Sequence, residues 1–576
     1  MIPSDRLNRI LLPVLGIGLI SLALAIPNTA YVRLLAGDGA KDLSWGAPLF
    51  RALLSYHGCL LVAIGLYLGK FRKKALRAGE TNRPNEQRTS TVVLISLSAL
   101  TVVAVGLRLP NLNSDLWVDE VLTLVDYARK PLGEILTSFP NQNQHMLYSI
   151  LARGAFGIFG ESPWALRLPA LIFGTGSIWA LFALGRRIIG IKQALFASAL
   201  MTVSYHHIWF SQNARGYTGL LFFALLATWL WFEALEKNEW RWWLAYSAAL
   251  TFGLYVHMTM AFVVAAHVSV YLILRQFPKF GGDDVGEIPP ERRAGIKPIA
   301  AWFLSLTAIV QLYSLALPEF FRTALHEESR NSEWTNPLWV ITETLQNLSI
   351  GFAGIAVVLA GIGFVFFGWI RIFSKNRRAA LLMVLPAIFA GSSMLVLGHN
   401  LFPRFFFFSM GFGLLIVIHG LFEVPKVALS VLRVPRNRDF AADLAGVALS
   451  VLIIIASITT VPRNYALPKQ DFQGARKFVE AHRQPDEAIV AVSIAGTMYE
   501  RYFAPHWPVA KTGADLKEFQ AKNEKSWLVY TLSPEIRAFH PDMWQMIESD
   551  YEVVKVFPGT LNGGEIVVCR KRVPGK

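Results

Sequence analysis

The stretch that sets the fold class is WALRLPALIFGTGSIWALFALGRR, residues 164–187. A run of roughly 20 apolar residues is long enough to cross the hydrocarbon core of a bilayer as a helix. The two arginines that close this run are the kind of charge that marks the cytoplasmic end of a span. Comparable runs recur along the chain, so the sequence predicts an α-helical polytopic membrane protein.

Composition supports the same fold class. Of the 576 residues, 53% are hydrophobic and 16% are charged, and the mean hydropathy is +0.41, which excludes a string of ordinary soluble domains. The net charge is +15 (55 Lys and Arg against 40 Asp and Glu), but the basic residues fall mostly in short loops between apolar runs. They act there as topology signals, so we expect no nucleic-acid partner. Two cysteines are too few for a disulfide framework.

Runs of roughly 16 to 22 apolar residues predict about thirteen transmembrane helices. They lie near residues 10–26, 48–69, 91–108, 164–185, 193–210, 216–235, 241–256, 258–276, 298–317, 350–371, 379–397, 405–422 and 442–461.

Loop charges predict which side each loop occupies. The stretch 146–160 is short for a span and contains Arg153, so we expect a juxtamembrane helix in the first long outer loop. With that stretch left out of the membrane, all basic loop clusters fall on the cytoplasmic side. The clusters lie within residues 70–88, 186–192, 279–297, 371–378 and 426–438.

The chain divides into three parts by composition. Residues 1–90 carry two N-terminal transmembrane helices and a basic cytoplasmic loop, and residues 91–461 carry the remaining spans. In 462–576, short apolar runs (EAIVAVSI, SWLVYTL and GEIVVCR) alternate with helix-like polar stretches such as DFQGARKFVEAHR. We therefore predict a small extracytoplasmic α/β domain at the C-terminus and expect the chemistry on the outer face.

The first candidate site is the acidic pair Asp119-Glu120, in NLNSDLWVDE directly after a predicted span. Two carboxyl groups held beside an apolar surface can have one pKa raised into the range of a useful base. The alternative is a helix N-terminus decorated with acids, because acidic residues stabilise the first turn of a helix.

A second cluster, SYHHIWFSQNARGY, places Gln212, Asn213, Arg215 and Tyr217 within six residues between two apolar runs. So many polar groups favour a pocket wall, although an arginine at a membrane end often extends to the headgroups instead. In GLYVH, His257 interrupts a long apolar stretch, where an ionisable group is usually functional, unless it is simply hydrogen-bonded at a helix end.

The third cluster is GHNLFPRF, which carries Arg404. Two arginines on the same face, Arg215 and Arg404, provide what a lipid-anchored phosphate needs, because planar guanidinium groups bind phosphate oxygens in pairs. Aromatic residues of the first outer loop, Tyr127, Phe139 and Tyr148, are predicted to cover the site and exclude water.

These motifs, taken in order, resemble a known family. LWVDE, NQNQHMLYSI, ALRLPALIFGT with LGRR, SYHHIWFSQNARGY and GLYVH are similar to the catalytic half of the glycosyltransferase C (GT-C) superfamily. The similarity is to the branch of protein O-mannosyltransferases (dolichyl-phosphate-mannose-protein mannosyltransferase-like) and lipid A aminoarabinose transferases. It spans roughly residues 90–275, with a weaker echo in PRFFFF at 403–408.

The resemblance implies a GT-C fold and an inverting sugar transfer from a polyprenyl-phosphate donor, at the outer face of a bacterial inner membrane. The acceptor would be a protein, lipid or glycan hydroxyl, with Asp119 as the base and Glu120 assisting it. The donor phosphate and substrate would be bound by residues of four motifs. These are His145, Tyr148, Gln212, Asn213, Arg215, Tyr217, His257 and Arg404.

The chain also departs from the family pattern. Relatives commonly have Gln-Glu-Ala-Arg where this chain has Gln212-Asn213-Ala214-Arg215, so a carboxylate that some relatives use for metal binding is missing. No cofactor is therefore predicted with certainty, and a divalent metal stays open. The two spans before residue 90 are additional to the usual arrangement.

Two alternatives remain from the residues alone. A transporter or flippase of lipid-linked sugars would also have many spans and basic outer-face residues, but it should show repeat symmetry and spans broken near the midplane. The sequence indicates neither. A glycan ligase or polymerase would instead use a lipid-diphosphate oligosaccharide.

Overall fold

A computed structural model describes most of the chain. The described residues are 4–36, 43, 45–75, 90–281, 289–323, 336, 352–432, 437–561 and 563–572. Most of the stretch 318–349, between two predicted spans, and parts of the basic clusters, including 80–86 and 282–288, lie outside them.

Helices dominate the part of the chain before residue 324. They are Ser4–Ala25, Asn28–Ala36, Gly46–Ala75, Thr91–Arg108, Val118–Leu122, Leu132–Thr137, Met146–Phe159, Pro163–Ile188, Ile191–Val203, Tyr205–Ser211, Tyr217–Lys237, Trp240–Val256, Met260–Gln276, Pro290–Arg293, Lys297–Tyr313 and Leu317–Arg322. A π-helical turn at Thr123–Ala128 and a 3-10 turn at Pro278–Gly281 complete this half.

The later membrane half is built from four long helices and a short 3-10 helix. The long helices are Phe352–Lys375, Arg377–Leu397, Met410–Val431 and Arg438–Thr460, and the 3-10 helix is Pro403–Ser409. Among the described residues, seven helices are long and apolar enough to cross a membrane, or eight if the bent pair within residues 10–34 counts as one span. The chain is thus an integral multi-pass membrane protein, and the number thirteen stays a prediction.

One predicted span is wrong as drawn. Residues 193–210 were expected to form a single helix, but the chain breaks at Ser204, whose backbone is extended, between Ile191–Val203 and Tyr205–Ser211. The buried Arg108 accounts for the break. Its guanidinium donates to the carbonyl of Thr202 at 3.2 Å, on one side of the break, and contacts Nδ1 of His207 at 2.6 Å, on the other.

The region between the long helices Thr91–Arg108 and Pro163–Ile188 contains the expected short helix. Met146–Phe159 is 14 residues long, its Arg153 is exposed, and it ends at Gly160, which has a positive φ of 80°. Glycine suits this position because it adopts positive φ without steric cost. Whether this helix lies in the interface remains a prediction.

Residues after 462 contain a five-stranded mixed sheet. The strands are β1 Ala488–Val492, β2 Val509–Ala510, β3 Ser526–Tyr530, β4 Tyr551–Phe557 and β5 Ile566–Lys571, in the order β2-β1-β3-β5-β4. β1 pairs in parallel with β2 and β3, whereas β5 runs antiparallel to β3 and β4. The three apolar runs quoted above form β1, β3 and β5, while β4 was not predicted. The helices here are Arg463–Ala466, Phe472–His482, Ser493–Met498, Gly513–Lys522, Ser533–Phe539 and Pro541–Asp550, with a π-helical turn at Tyr499–Phe503.

The helix Tyr217–Lys237 is the centre of the membrane half. It is buried along most of its length, with Trp231 fully enclosed, and it packs against Pro163–Ile188 and Trp240–Val256. Its N-terminus follows the QNARG turn, residues 212–216, directly. The best-packed helix therefore holds the polar turn on which the candidate site is built.

Candidate active site

Asp119 lies at the start of the short helix Val118–Leu122, in the region between the long helices Thr91–Arg108 and Pro163–Ile188. Its Oδ2 is 3.3 Å from Nη1 of Arg404 and 3.9 Å from Nε of Arg215. The Asp119 side chain is 14% exposed, so it is accessible from a largely buried position. The structure thus brings together three charged residues that the sequence predicted from three separate motifs.

The QNARG turn positions Arg215. Its guanidinium donates to the carbonyl of Asn143 at 2.9 Å, and the side chain is only 4% exposed. The following residue must be small, because a methyl group on Gly216 would lie 2.6 Å from the carbonyl oxygen of Val256 and 2.8 Å from Nδ1 of His145. Glycine at this position lets two other parts of the site close onto the turn.

Arg404 enters from the other half of the membrane region. It belongs to the 3-10 helix Pro403–Ser409, and its guanidinium lies 4.7 Å from the ring centroid of Phe402 and 5.6 Å from that of Phe405. The aromatic faces stabilise a cation that is partly withdrawn from water. The run PRFFFF therefore supplies both the charge and its apolar support.

Several buried polar atoms around Asp119 have no hydrogen-bond partner within the described residues. They are Nε of Arg215, Nε of Arg404, Nε2 of His145 and Nδ2 of Asn143. An unsatisfied buried donor costs roughly 1–3 kcal/mol, so such atoms are rare and call for a partner. Three of the four are N–H donors, two of them cationic, and this set suits an anion with several oxygens.

Three aromatic side chains form a wall beside Arg215. The rings of His145 and His257 are 4.6 Å apart, and Tyr217 lies 5.6 Å and 5.2 Å from them, centroid to centroid. Burial, reinforced by the charge of Arg215, lowers the pKa of His145 well below its usual value. His145 is therefore neutral, and the proton on Nδ1 is assigned from its contact with the Val256 carbonyl at 3.2 Å.

Three other predicted residues make contacts within the protein. Gln212 donates to the carbonyl of Arg108 at 2.9 Å, and Asn213 accepts a hydrogen bond from Nε1 of Trp117 at 3.0 Å. The hydroxyl of the fully buried Tyr148 donates to the carbonyl of Leu166 at 2.7 Å. These contacts hold the site's loops in place and leave direct substrate contact by Tyr148 without geometric support.

Glu120 differs sharply from its neighbour. It is fully buried, with Oε1 and Oε2 at 2.7 and 2.6 Å from the guanidinium of Arg167, and Oε1 also accepts from the backbone N–H of Ala214 at 2.8 Å. Burial alone would raise its pKa, but Arg167, Lys469 and these hydrogen bonds hold the pKa of Glu120 well below the usual carboxyl value. Because both oxygens are engaged, the geometry favours a positioning role over the predicted catalytic one.

Arg167 was not among the predicted residues. Besides Glu120, its guanidinium donates to the carbonyls of Leu112 and Ser114, both at 2.8 Å, and so shapes the loop before Asp119. The sequence does contain a signal for Arg167, because it lies inside the apolar run 164–187. Burying an arginine in a membrane segment costs free energy, so such a residue usually has an ionic partner.

The segment after the last long helix also contacts the site, although no local sequence pattern indicated this. Nζ of Lys469 is 3.5 Å from Oε1 of Glu120, and Oε1 of Gln470 accepts from the N–H of Val118 at 3.1 Å. Glu535 lies at the start of the helix Ser533–Phe539, and the negative charge of Asp119 affects its pKa. Burial and that charge raise the pKa of Glu535 to about 7.

The donor set fits an anion better than a divalent cation. Asp119 already faces two guanidinium groups, and within the described residues no group of three or more His, Cys, Asp or Glu side chains is arranged to hold a metal. Divalent cations prefer several carboxylate and carbonyl oxygens. The two guanidinium groups that face Asp119 therefore suit an anion.

Comparisons with known proteins agree with the motif-based resemblance. Residues 144–280 match the family model described as dolichyl-phosphate-mannose-protein mannosyltransferase. The chain is also 32% identical over 117 residues to YkcB of Bacillus subtilis (strain 168), named as a candidate mannosyltransferase. That match covers 20% of this chain and 16% of the relative's length. The family model thus confirms the predicted resemblance to dolichyl-phosphate-mannose-protein mannosyltransferases over the segment that carries His145, Arg215 and His257.

Two solved structures are similar over most of the chain. ArnT from Cupriavidus metallidurans in the apo state has a TM-score of 0.45 at 12% identity, covering 83% of this chain and 97% of that one. The oligosaccharyltransferase AglB from Archaeoglobus fulgidus, in complex with an inhibitory peptide and a dolichol-phosphate, has a TM-score of 0.48 at 12% identity, covering 82% and 74%.

Proposed function

We propose that this protein is an inverting glycosyltransferase that moves a sugar from a polyprenyl-phosphate donor to an acceptor hydroxyl. The observation that carries the proposal is the arrangement around Asp119. One carboxylate lies between two arginines from separate halves of the membrane region, and each arginine keeps a buried N–H without an acceptor.

The proposed step uses Asp119 as a general base. The acceptor hydroxyl gives its proton to the Asp119 carboxylate while its oxygen attacks the anomeric carbon of the donor sugar. The bond between that carbon and the phosphate oxygen breaks, and the phosphate keeps the electron pair. A single displacement of this kind inverts the configuration at the anomeric carbon.

Arg215 and Arg404 are proposed to bind the donor phosphate and stabilise its growing negative charge. Charge-assisted hydrogen bonds from guanidinium groups are about twice as strong as neutral ones. Without donor, Asp119 is the anion that these arginines face. When a phosphate takes over that pairing, the carboxylate is released for the acceptor proton, so donor binding would prepare the base.

The aromatic side chains complete the proposed pocket. Tyr127 and Phe139 are buried in the first outer loop, and His145, Tyr217 and His257 line the side next to Arg215. Limited access of water at this position would favour transfer over hydrolysis of the donor. Gln212 and Asn213 would act by holding the QNARG turn.

The placement in the membrane is part of the proposal. Residues 1–90 would form an added membrane segment, 91–461 the catalytic membrane domain, and 462–576 an extracytoplasmic domain. The five basic clusters support this orientation, with the site on the outer face of a bacterial inner membrane. A protein, lipid or glycan would supply the hydroxyl.

The test begins with native mass spectrometry of the full-length protein. We expect wild type to retain added undecaprenyl phosphate and the Arg215→Ala, Arg404→Ala double variant to lose it. Reconstituted protein is then given undecaprenyl-phosphate mannose labelled in the sugar, together with an envelope extract as the acceptor source. Release of undecaprenyl phosphate that depends on Asp119 supports the transferase.

Other outcomes contradict the proposal. Movement of the labelled donor across a vesicle membrane without cleavage would favour a transporter or flippase. Turnover of a lipid-diphosphate oligosaccharide, with no use of the monophosphate donor, would favour a ligase.

A further inference from the structure

The short segment 464–470 connects the last long helix to the region that contains the sheet, and it lies against both site motifs. Nδ2 of Asn464 donates to Oε1 of Gln212 at 2.7 Å, while Oε1 of Gln470 accepts from the N–H of Val118 at 3.1 Å. Nε2 of Gln470 donates to Oγ1 of Thr531, just after strand β3, at 3.1 Å. The segment therefore joins the Asp119 loop, the QNARG turn and the sheet.

Lys469 is the buried centre of this segment. It is 7% exposed, its ammonium group is 3.5 Å from Oε1 of Glu120, and it donates to the carbonyl of Gln212. Its Nζ also lies 5.5 Å from the ring centroid of Trp209. One side chain from the C-terminal part thus contacts both the acidic motif and the QNARG turn.

Charge balance alone does not explain why a lysine is buried here. Glu120 is already paired with Arg167 through two oxygens, so Lys469 is a second cation for one carboxylate. Withdrawing an ammonium group from water costs several kcal/mol, and an apolar side chain of similar size is often at least as stable in such a place. Burial, reinforced by the charge of Arg167, lowers the pKa of Lys469 to about 7.

The partners of Lys469 adjoin the residues that face the proposed phosphate. Glu120 follows Asp119 directly, and its Oε1 accepts from the N–H of Ala214, the residue before Arg215. From this geometry we infer that Lys469 is a positioning residue of the active site, which sets the separation between Asp119 and Arg215 through Glu120 and the QNARG turn. The inference rests on the proposed function.

The test compares Lys469→Met, Lys469→Arg and the matched control Lys522→Met, which removes an exposed lysine of the same C-terminal part. Turnover of undecaprenyl-phosphate mannose is measured with purified full-length protein. We expect Lys469→Met to lower kcat roughly 10- to 100-fold, as for a displacement of about 1 Å at a reacting group, with a smaller change in KM. Lys469→Arg should recover most of the rate, and Lys522→Met should match wild type.

A pH profile adds a readout that packing alone would not move. Within the described residues, the charged groups that face Lys469 are Glu120 and Arg167. Lys469 is protonated below about pH 7 and loses its charge above it. Both proteins, with lysine or with arginine at residue 469, carry Glu535→Gln in this measurement, because the pKa of Glu535 is also about 7. We expect kcat to fall as pH rises through 7 when residue 469 is lysine, and to stay constant with Lys469→Arg because arginine stays charged.

The outcomes separate this inference from the proposed function. If Lys469→Met keeps the wild-type kcat while Asp119→Asn is inactive, Lys469 does not position the site but the transferase stands. If wild type does not use the donor at all, the proposed function fails first. If Lys469→Met does not fold, the pH profile of Lys469→Arg still tests the inference. A fall in kcat above pH 7 as large with arginine as with lysine at this position would overturn it.

Discussion

Asp119 and Glu120 are adjacent in the chain, yet their surroundings are opposite. Around Asp119, two arginines make one ion pair each and leave buried N–H groups without an acceptor, whereas Glu120 is enclosed with both oxygens bonded. Unused hydrogen-bonding capacity costs free energy in the free protein and is recovered when a ligand binds. Glu120, whose two oxygens already accept hydrogen bonds, instead holds in place the backbone that carries Asp119 and Arg215.

The largest effect is expected at the base. Asp119→Asn keeps the shape of the side chain but cannot accept the acceptor proton, so kcat should fall by roughly 10²- to 10⁴-fold with little change in thermal stability. Transfer from undecaprenyl-phosphate mannose and the unfolding midpoint are measured together, with the exposed Asp439→Asn as control. Wild-type turnover in Asp119→Asn would show that this side chain is not the base.

The next effect should appear as stability. Glu120→Gln removes the charge that balances Arg167, and an unbalanced buried charge typically costs about 3–5 kcal/mol. We expect a lower unfolding midpoint, and also a lower kcat of the protein that stays folded, because Glu120 holds the QNARG turn next to Asp119. Full stability with selective loss of turnover would place Glu120 in the chemistry and remove the contrast with Asp119.

The phosphate clamp comes third. Arg215→Ala and Arg404→Ala should each lose roughly 2–4 kcal/mol of transition-state stabilisation, while the lysine variants keep part of the rate because they keep the charge. Single-turnover rates and undecaprenyl phosphate affinity decide this, with Arg463→Ala, which removes an exposed arginine, as the control. Near-normal values for both alanine variants would mean that these arginines merely extend to lipid headgroups.

The smallest effect concerns Glu535, a residue of the C-terminal part whose pKa is affected by burial and by the charge of Asp119. Its pKa is raised to about 7, so the folded state binds its proton more tightly than the unfolded state. Stability from this group is present at low pH and is lost as pH rises from the usual carboxyl range through 7. Glu535→Gln should therefore gain roughly 1 kcal/mol relative to wild type between pH 5 and 8. The exposed Glu552→Gln is the control, and its difference in unfolding free energy from wild type should not vary with pH. The same constant difference for Glu535→Gln would show that Glu535 does not interact with Asp119.

Much of the helical arrangement follows from local patterns. Long apolar runs produced helices close to the predicted positions, because burying apolar side chains and satisfying the backbone in lipid leaves little alternative to a helix. The run 193–210 failed because a distant side chain, Arg108, takes a carbonyl that a continuous helix would use. Strand β4, YEVVKVF, was missed although it is rich in valine, because Glu552 and Lys555 interrupt its apolar residues and its middle residues are exposed.

In the candidate site, too, some features follow from local sequence patterns and others from contacts between distant residues. The sequence indicated the residues with unusual chemistry in their local context, such as Asp119, Arg215, His257 and Arg404, and the structure brings them together. It gave no basis for separating Asp119 from Glu120, since adjacent carboxylates look equivalent in a motif. Lys469, 349 residues from Glu120, had no local signal beyond an ordinary lysine before a polar helix.

Local sequence patterns were enough to predict the membrane class, the positions of most helices and the motifs of the site, because hydropathy and helical period act over short distances. Two features follow from long-range contacts and were not predictable locally: Asp119 keeps its carboxylate accessible while Glu120 does not, and Arg167 and Lys469 both contact Glu120. Burial and ion pairing depend on side chains that are hundreds of residues apart in the chain. Their free energies are set by the packing around each group, which no local pattern contains.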